Sequence, residues 1–189
     1  MAFLTTWNMT DLPSEMIDIL EEDIKKFDNC QDKSKVMGND EIAPKIRNSK
    51  NAWIPTEHWI GGWIWYYIQK ANRENFLYDL YDIDGGSIQY THYYPGDYYT
   101  WHIDGDISTN FKPEIKPGTG ENLSQDQTFH KGECVRKLSF SLQLSDAKDY
   151  RGGEVEFVDS AGERYFAPKQ KGTLIVFDSR TKHRVRTVK

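Results

Sequence analysis

The stretch "YYPGDYYTWHIDGD", residues 93–106, holds a histidine and an aspartate one residue apart, with aromatics crowded before the pair and a long polar stretch after it. In a β-strand side chains repeat their direction every two residues, so His102 and Asp104 would point to one face and could chelate a single ion. A single HxD is weak evidence, because short matches of this kind arise by chance. The rest of the chain has to supply both a third ligand and a scaffold.

The scaffold comes first. A chain of 189 residues suits one domain, residues 1–189, with a real core. Hydrophobic residues make up 38% and aromatics 14%, so that core must lean on Trp, Tyr and Phe. A net charge of −5 and a pI near 5.6 argue against non-specific nucleic-acid binding. The opening "MAFLTTWNMTD" lacks the basic start and apolar stretch of a signal peptide. No run reaches the ~18–20 apolar residues of a membrane span. Cys30 and Cys134 sit far apart in polar surroundings and make no disulfide framework. A reducing, cytoplasmic setting is therefore expected, with no nucleic-acid or membrane partner.

Along the chain, Leu12, Met16, Leu20, Ile24 and Phe27 form a helical stripe, with Asp11 as a candidate N-cap and Pro13 in the first turn. A second helix is expected from Thr56 to Ala71, with Ile60, Trp63, Ile64, Tyr67 and Ile68 on one side. Gly61 and Gly62 weaken it by roughly 1 kcal/mol each. Residues 28–50 read as loop apart from a short strand around Ile46.

From residue 76 onward short β-rich runs recur: Phe76–Tyr81, Ser87–Tyr94, Tyr98–Ile103, Arg136–Leu144, Glu154–Val158, Arg164–Phe166, Thr173–Phe177 and His183–Val188. Gly, Pro and Asp clusters separate them, the pattern of a β-sandwich or barrel preceded by helices. Residues 105–135 carry no clear strand. A loop that long in a compact domain is usually functional or disordered, and here a lid closing over the site is expected.

Of the five histidines, the four besides His102 compete for the third ligand position. His58 falls in the second helix, His130 in the long loop, and His92 shares the face of Tyr94 in a packing or surface role. His183 differs, because it follows the apolar run "GTLIVF" (172–177) and a polar turn. Two histidines and a carboxylate make the facial set of non-haem Fe(II) oxygenases, with three coordination positions left open.

Four blocks then agree in order and spacing: "QYTHYYPGDYYTWHID" (89–104), "RKLSFSLQLSDAKDYRGGEVEF" (136–157), "PKQKGTLIVF" (168–177) and "HRVRTV" (183–188). Through them residues 87–188 resemble the catalytic core of the 2-oxoglutarate- and Fe(II)-dependent oxygenases, in particular the prolyl 4-hydroxylase and PKHD-type branch. "IRNSKNAWI" (46–54) is similar to an Arg-x-Ser stretch found ahead of that core.

The resemblance implies a mainly β fold, a double-stranded β-helix (jelly-roll) core over 76–189, with mostly helical support over 1–75. It implies Fe(II) held by His102, Asp104 and His183, with 2-oxoglutarate and O2 as co-substrates and ascorbate as an added cofactor. Tyr94 sits where relatives place a tyrosine facing the co-substrate. Ser141 and Gln143 share a face of their strand and should line its pocket. At the Gln143 position animal prolyl hydroxylases carry a tyrosine, and an amide can still donate to a carboxylate. Arg136 and Trp101 are expected toward the substrate, with Tyr98 as a further aromatic near that channel.

The activity implied is hydroxylation of an unactivated C–H, as in procollagen-proline 4-dioxygenases, on a proline-containing peptide or protein. A same-fold oxygenase of another amino acid or small molecule, or an inactive metal-binding jelly roll, remains open. Relatives anchor the far carboxylate with an Arg or Lys nine or ten positions after the distal histidine. That count from His183 passes Lys189, so a further C-terminal segment carrying the last strand is expected.

Overall fold

The computed structural model describes residues 6–9, 12–30, 32–33, 46–83, 86–105, 110–111, 134–159 and 161–189. In chain order these form β1 (Thr6–Met9), α1 (Ser14–Ile24) with a 3-10 turn (Lys25–Cys30), β2 (Asp32–Lys33), β3 (Arg47–Asn48) and β4 (Lys50–Pro55). Next come α2 (Trp59–Ala71), a π-turn (Asn72–Phe76), β5 (Ser87–His92), β6 (Tyr98–His102), β7 (Asn110–Phe111), β8 (Cys134–Val135) and β9 (Leu138–Leu142). The chain closes with β10 (Val155–Val158), β11 (Arg164–Phe166), β12 (Leu174–Asp178) and β13 (Lys182–Val185).

A five-stranded sheet has the order β11-β10-β13-β6-β3, three-stranded sheets the orders β1-β12-β9 and β2-β4-β5, and β7 pairs with β8. Every described ladder is antiparallel. The result is the jelly roll with N-terminal helices that the resemblance implied.

β12 explains how the layers stack. Leu174 and Val176 face one way, joining Leu12 and Ile17 of the α1 side and Ala71 of α2. Ile175 and Phe177 face the other way, against Phe157 of β10. A strand buried on both faces needs a continuous apolar run rather than alternation, which is why "TLIVF" reads as it does. The inner layer between β12 and β10 is where a site can be enclosed, while the helices seal the outer face.

α1 starts at Ser14, so Pro13 is the residue before the helix rather than part of its first turn. The Pro13 carbonyl accepts from Met16 and Ile17 N–H, a role that needs no proline N–H. Its buried stripe is Ile17, Leu20 and Ile24, with Met16 only partly covered. Asp11 lies outside the described residues.

α2 starts at Trp59 rather than Thr56, because His58 is extended and serves as N-cap, its Nδ1 facing Ile60 N–H at 3.5 Å. Gly61 has a steric cause: a Cβ there would lie 2.1 Å from the Thr56 carbonyl oxygen. Gly62 meets open space.

The strand expected over Phe76–Tyr81 does not form. The π-turn ends at Leu77 in the left-handed region (φ 57°), and Asn72 then captures Tyr78 from both sides. Its Oδ1 accepts from Tyr78 N–H at 2.8 Å and its Nδ2 donates to Tyr78 O at 2.7 Å. Those are the groups a neighbouring strand would have used.

The stretch read as loop over 28–50 contains β2, β3 and the start of β4, and β3 begins just after Ile46. The span 105–135 contributes a short ladder, Asn110↔Val135 and Phe111↔Cys134. Its remaining residues, 106–109 and 112–133, on which the lid expectation rests, and His130 lie outside the described residues. Among the described residues no helix is long and apolar enough to cross a membrane.

Candidate metal centre and adjoining cavity

β13 lies between β10 and β6, and its register sets Phe157, His183 and His102 in one row across the sheet. Asp104 follows β6 by two residues, and its N–H and that of Gly105 both donate to Ser179 O, at 2.9 and 3.2 Å. A Cβ on Gly105 would come within 3.0 Å of Arg136 Cβ, so the chain turns there against the start of the β9 segment. These constraints bring His102, Asp104 and His183 together with one ligand atom from each inside a mutual 4.8 Å. The Nε2 atoms of His102 and His183 lie 3.5 and 3.6 Å from the two Asp104 carboxylate oxygens.

The other ring nitrogens are already engaged. His102 Nδ1 faces Thr100 O at 2.7 Å and His183 Nδ1 faces Thr181 O at 2.9 Å. A proton on each Nδ1 leaves each Nε2 lone pair aimed at the shared point, the arrangement a metal ligand needs. Burial pushes the Asp104 carboxyl up, but the His102 hydrogen bond and the fields of His183 and His102 outweigh it and hold it well below the usual range. Burial lowers the pKa of His183 against the opposing pull of the neighbouring Asp104, which favours a free ring nitrogen for a metal. Two imidazole nitrogens and one carboxylate on one side of a point fit Fe(II), with open positions opposite.

The strand pairing also decides which aromatics flank the site. Between the pairs His183↔His102 and Val185↔Tyr99, one residue of β13 faces two of β6. This bulge breaks the two-residue period, so Tyr99 and His102 share a face although three positions apart. The Tyr99 ring stacks on His102 with centroids 3.5 Å apart, and the Arg47 guanidinium lies 4.8 Å from the Tyr99 ring centre. Arg47, buried, donates from Nε to Ser49 Oγ and from NH2 to Asn51 Oδ1.

Trp101 takes the opposite face. It stands among Arg184, Arg164 and Lys182, at 4.6, 5.6 and 6.0 Å, and Arg184 is paired with buried Glu156. The expectation that Trp101 faces the site is therefore corrected: as the neighbour of the ligand His102 in β6 it points to the other face by simple alternation. Tyr98 pairs across from Asn48.

Ser141 and Gln143 both line a cavity on the inner side of β9, together with Gly153, Val155, Ala167, Pro168, Lys169, Thr173 and Ile175. Gln143 Nε2 donates to Tyr150 OH at 2.8 Å. Arg136 NH1 donates to the Asp104 carbonyl at 3.0 Å, so it braces the ligand loop. Tyr94 is 47% exposed, with its ring beside His92 and under Lys50 Nζ at 5.3 Å. His92 packs edge-on against Tyr90.

Strict alternation missed Tyr99, whose orientation depends on the bulge. It also missed Thr173 and Lys169, which reach the cavity from outside the block that holds Ser141 and Gln143. The shared inner face of β9 and β12 would have pointed to Thr173 once their pairing was known.

The chain resembles known proteins in both sequence and shape. A PKHD-type hydroxylase of Parvibaculum lavamentivorans is 38% identical over 71 residues, which is 38% of this chain and 32% of that protein. The chain thus aligns with about a third of that curated relative's length. A Pseudomonas putida prolyl-4-hydroxylase superposes with a TM-score of 0.68 at 17% identity, covering 97% of this chain and 85% of that one. The viral collagen prolyl hydroxylase of Paramecium Bursaria Chlorella virus-1, solved with 2OG, gives 0.61 at 22%, covering 98% and 90%. These likenesses show the fold. The sequence pattern of the 2OG-Fe(II) oxygenase superfamily matches residues 88–189, more than half of the chain and the part that carries all three ligands. The chain belongs to the 2OG-Fe(II) oxygenase superfamily.

Proposed function

We propose that the protein is a 2-oxoglutarate- and Fe(II)-dependent dioxygenase that hydroxylates a proline residue in a peptide or protein. The observation that carries this reading is the convergence of His102, Asp104 and His183 within 4.8 Å inside a jelly roll whose inner face also holds a polar-walled cavity. Fe(II) with 2-oxoglutarate and O2 would supply the oxidising power for C–H hydroxylation.

The protein's own groups do the rest. His102 and His183 present Nε2, and ionised Asp104 supplies the carboxylate, so the metal's charge is partly neutralised. Ser141 and Gln143 are assigned to the co-substrate, and Arg136 holds the Asp104 loop in place. Tyr99, rather than Trp101, stands beside the ligand His102 where a substrate ring would approach. Residues 1–75 and 76–189 act as one unit, the helices backing the sheets that carry the site.

The PKHD-type relative supports hydroxylation, and the prolyl hydroxylases of matching shape support proline as its target. One of these, from Trichoplax adhaerens, was solved with a hypoxia inducible factor peptide fragment (TM-score 0.64, 16% identity, covering 97% of this chain and 78% of that one).

The test is succinate release from 2-oxoglutarate by protein loaded with Fe(II) anaerobically and then exposed to O2, with and without a proline-rich peptide. Release stimulated by the peptide, with hydroxyproline in the product and loss in His102→Ala, is the expected result. Release without peptide stimulation would retain the oxygenase and reject proline as substrate. No release under any condition would leave a metal-binding jelly roll without turnover.

A further inference from the structure

β13 turns its two sides to different surroundings. Its sequence "KHRVR" (182–186) alternates, and the ladder with β10 keeps the alternation, setting Lys182, His183 and Arg184 opposite Val158, Phe157 and Glu156. His183 points inward to the other metal ligands, so Lys182 and Arg184 point outward. Arg186 continues the period: its N–H donates to Glu154 O, and its guanidinium stands 5.8 Å from the Phe166 ring centre. Cations on the outer side of this strand therefore recur every two residues, roughly 6.5–7 Å apart. Arg164 of β11 joins them, since its guanidinium and Lys182 Nζ both approach the Trp101 ring, at 5.6 and 6.0 Å.

This outer face is short of negative charge. Arg184 gives donors to Glu156 at 2.7 and 2.6 Å, and Arg164 stands 3.6 Å from the same buried carboxylate. Glu154 lies 3.9 Å from Arg186 and is shared with Lys169 at 3.7 Å. Among the described residues Lys182 has no carboxylate partner. The adjoining turn holds Asp159 and Glu163, and the Asp159 carboxylate is taken by the N–H groups of Ala161 and Glu163, both at 2.9 Å. The side chains of Arg164 and Arg186 are 61% and 49% exposed, and Phe166 is 51% exposed beside them. A buried ion pair adds little net stability but fixes orientation. Glu156 thus holds Arg184 still, and little side-chain freedom would be lost when a second carboxylate reached its remaining donors.

We propose that this face docks an extended acidic segment of a partner protein, whose alternate carboxylates meet Lys182, Arg184 and Arg186, with Arg164 beside them and Trp101 and Phe166 in apolar contact. The contact lies across β13 from the ligands, so it does not depend on the metal centre being loaded. Charge complementarity selects the occupant. The chain as a whole carries −5, but charges are screened over about 8 Å at physiological salt, so a local cationic patch still attracts a short acidic stretch. Nucleic acid suits the face less well, because the Trp101 ring on which a base would stack already carries the Arg184 guanidinium, 4.6 Å from its centre. Arg, Trp and Phe are also enriched where proteins meet.

The test measures binding of a short fluorescein-labelled peptide of alternating glutamate and serine to the full chain by fluorescence anisotropy, beside the same peptide with glutamine in place of glutamate. The glutamate peptide should bind about tenfold or more tighter than its glutamine counterpart, and raising the salt from dilute buffer to physiological strength should weaken it several-fold. Arg164→Glu combined with Lys182→Glu, both exposed positions, should lower its affinity about tenfold or more. Lys25→Glu, exposed in the turn after α1, makes the same kind of charge change elsewhere and should alter it by less than about twofold. Arg186→Gln should lower it a few-fold alone and serves if the double variant does not fold.

Equal binding of the two peptides, or an affinity unchanged by both the double variant and Arg186→Gln, would overturn the assignment. Tighter binding of a single-stranded oligothymidylate of equal charge, lost in the same variants, would make the face a nucleic-acid surface and overturn it too. Self-association of the chain in sedimentation, abolished by the double variant and not competed by the glutamate peptide, would make a second copy the occupant and overturn it as well.

Discussion

β12 and β6 lie in facing sheets of the same jelly roll, and they use opposite solutions. β12 is regular through five consecutive pairs with β9, and both of its faces are buried. β6 carries a metal ligand and loses its regular period at the residues beside it, between Tyr99 and His102. The regular strand is a packing element, and any of its inward residues would serve if it filled the space. The bulged strand is an aiming device. It brings Tyr99 onto the metal face, while Trp101, next to the ligand His102, keeps the outer face among Arg184, Arg164 and Lys182. The fold is rigid where the sequence is monotonous and specific where the period breaks.

The comparison breaks hardest at the ligands. Replacing His183 with Ala should weaken Fe(II) binding by more than about a hundredfold, since even outer-shell partners of a metal cost ten- to a hundredfold. Chemical melts should show the chain still folded. Fe(II) affinity measured by anaerobic titration decides this, and binding within a few-fold of native would place the metal elsewhere.

On β12 the largest loss should be in stability. Phe177 is 3% exposed and packs on Phe157, so Phe177→Ala should cost about 3–5 kcal/mol in denaturant unfolding. A cost below about 1 kcal/mol would mean that this layer is not close-packed. Gly61→Ala tests the other scaffold, where the Thr56 carbonyl occupies the place of a Cβ. It should destabilise by about 1–3 kcal/mol although alanine is the better helix former, whereas Gly62→Ala should stabilise by up to about 1 kcal/mol.

The smallest and sharpest contrast lies within β6. Tyr99→Leu removes the ring stacked on His102 and should raise the peptide KM several-fold. Trp101→Leu should leave both Fe(II) affinity and KM within about twofold, costing under about 1 kcal/mol of stability as an outer-face residue. Steady-state kinetics on the two variants checks this, and the reverse ranking would mean that the bulge does not bring Tyr99 to the site.

Much of this was legible before any coordinates. The unbroken apolar run of "TLIVF" marks a strand buried on both sides, and the stripe of Leu20 and Ile24 marks the first helix. His102, Asp104 and His183 were legible because the HxD pair and the distal histidine each follow a recognisable strand. That Ser141 and Gln143 share a wall was also legible, since period two carries on from β9 into the residue just past its end.

The failures share one physical cause, a non-local contact that local pattern cannot carry. Phe76–Tyr81 has strand-like residues, but the Asn72 side chain takes the backbone groups that a strand would pair. Gly61 looks like a weakness in a helix until the Thr56 carbonyl is placed against it. Tyr99, an odd number of residues from His102, reaches the same face only because an extra residue of β6 stands opposite Arg184. Thr173 is an ordinary strand-edge threonine until its buried hydroxyl is found without a partner.

The most direct test of the central claim is an anaerobic titration of the protein with Fe(II), followed by 2-oxoglutarate, in the native chain and in Asp104→Ala. The account predicts one Fe(II) per chain, 2-oxoglutarate binding that strengthens once the metal is in place, and loss of both in the variant. Fe(II) bound equally well without the Asp104 carboxylate, or 2-oxoglutarate binding indifferent to the metal, would contradict it.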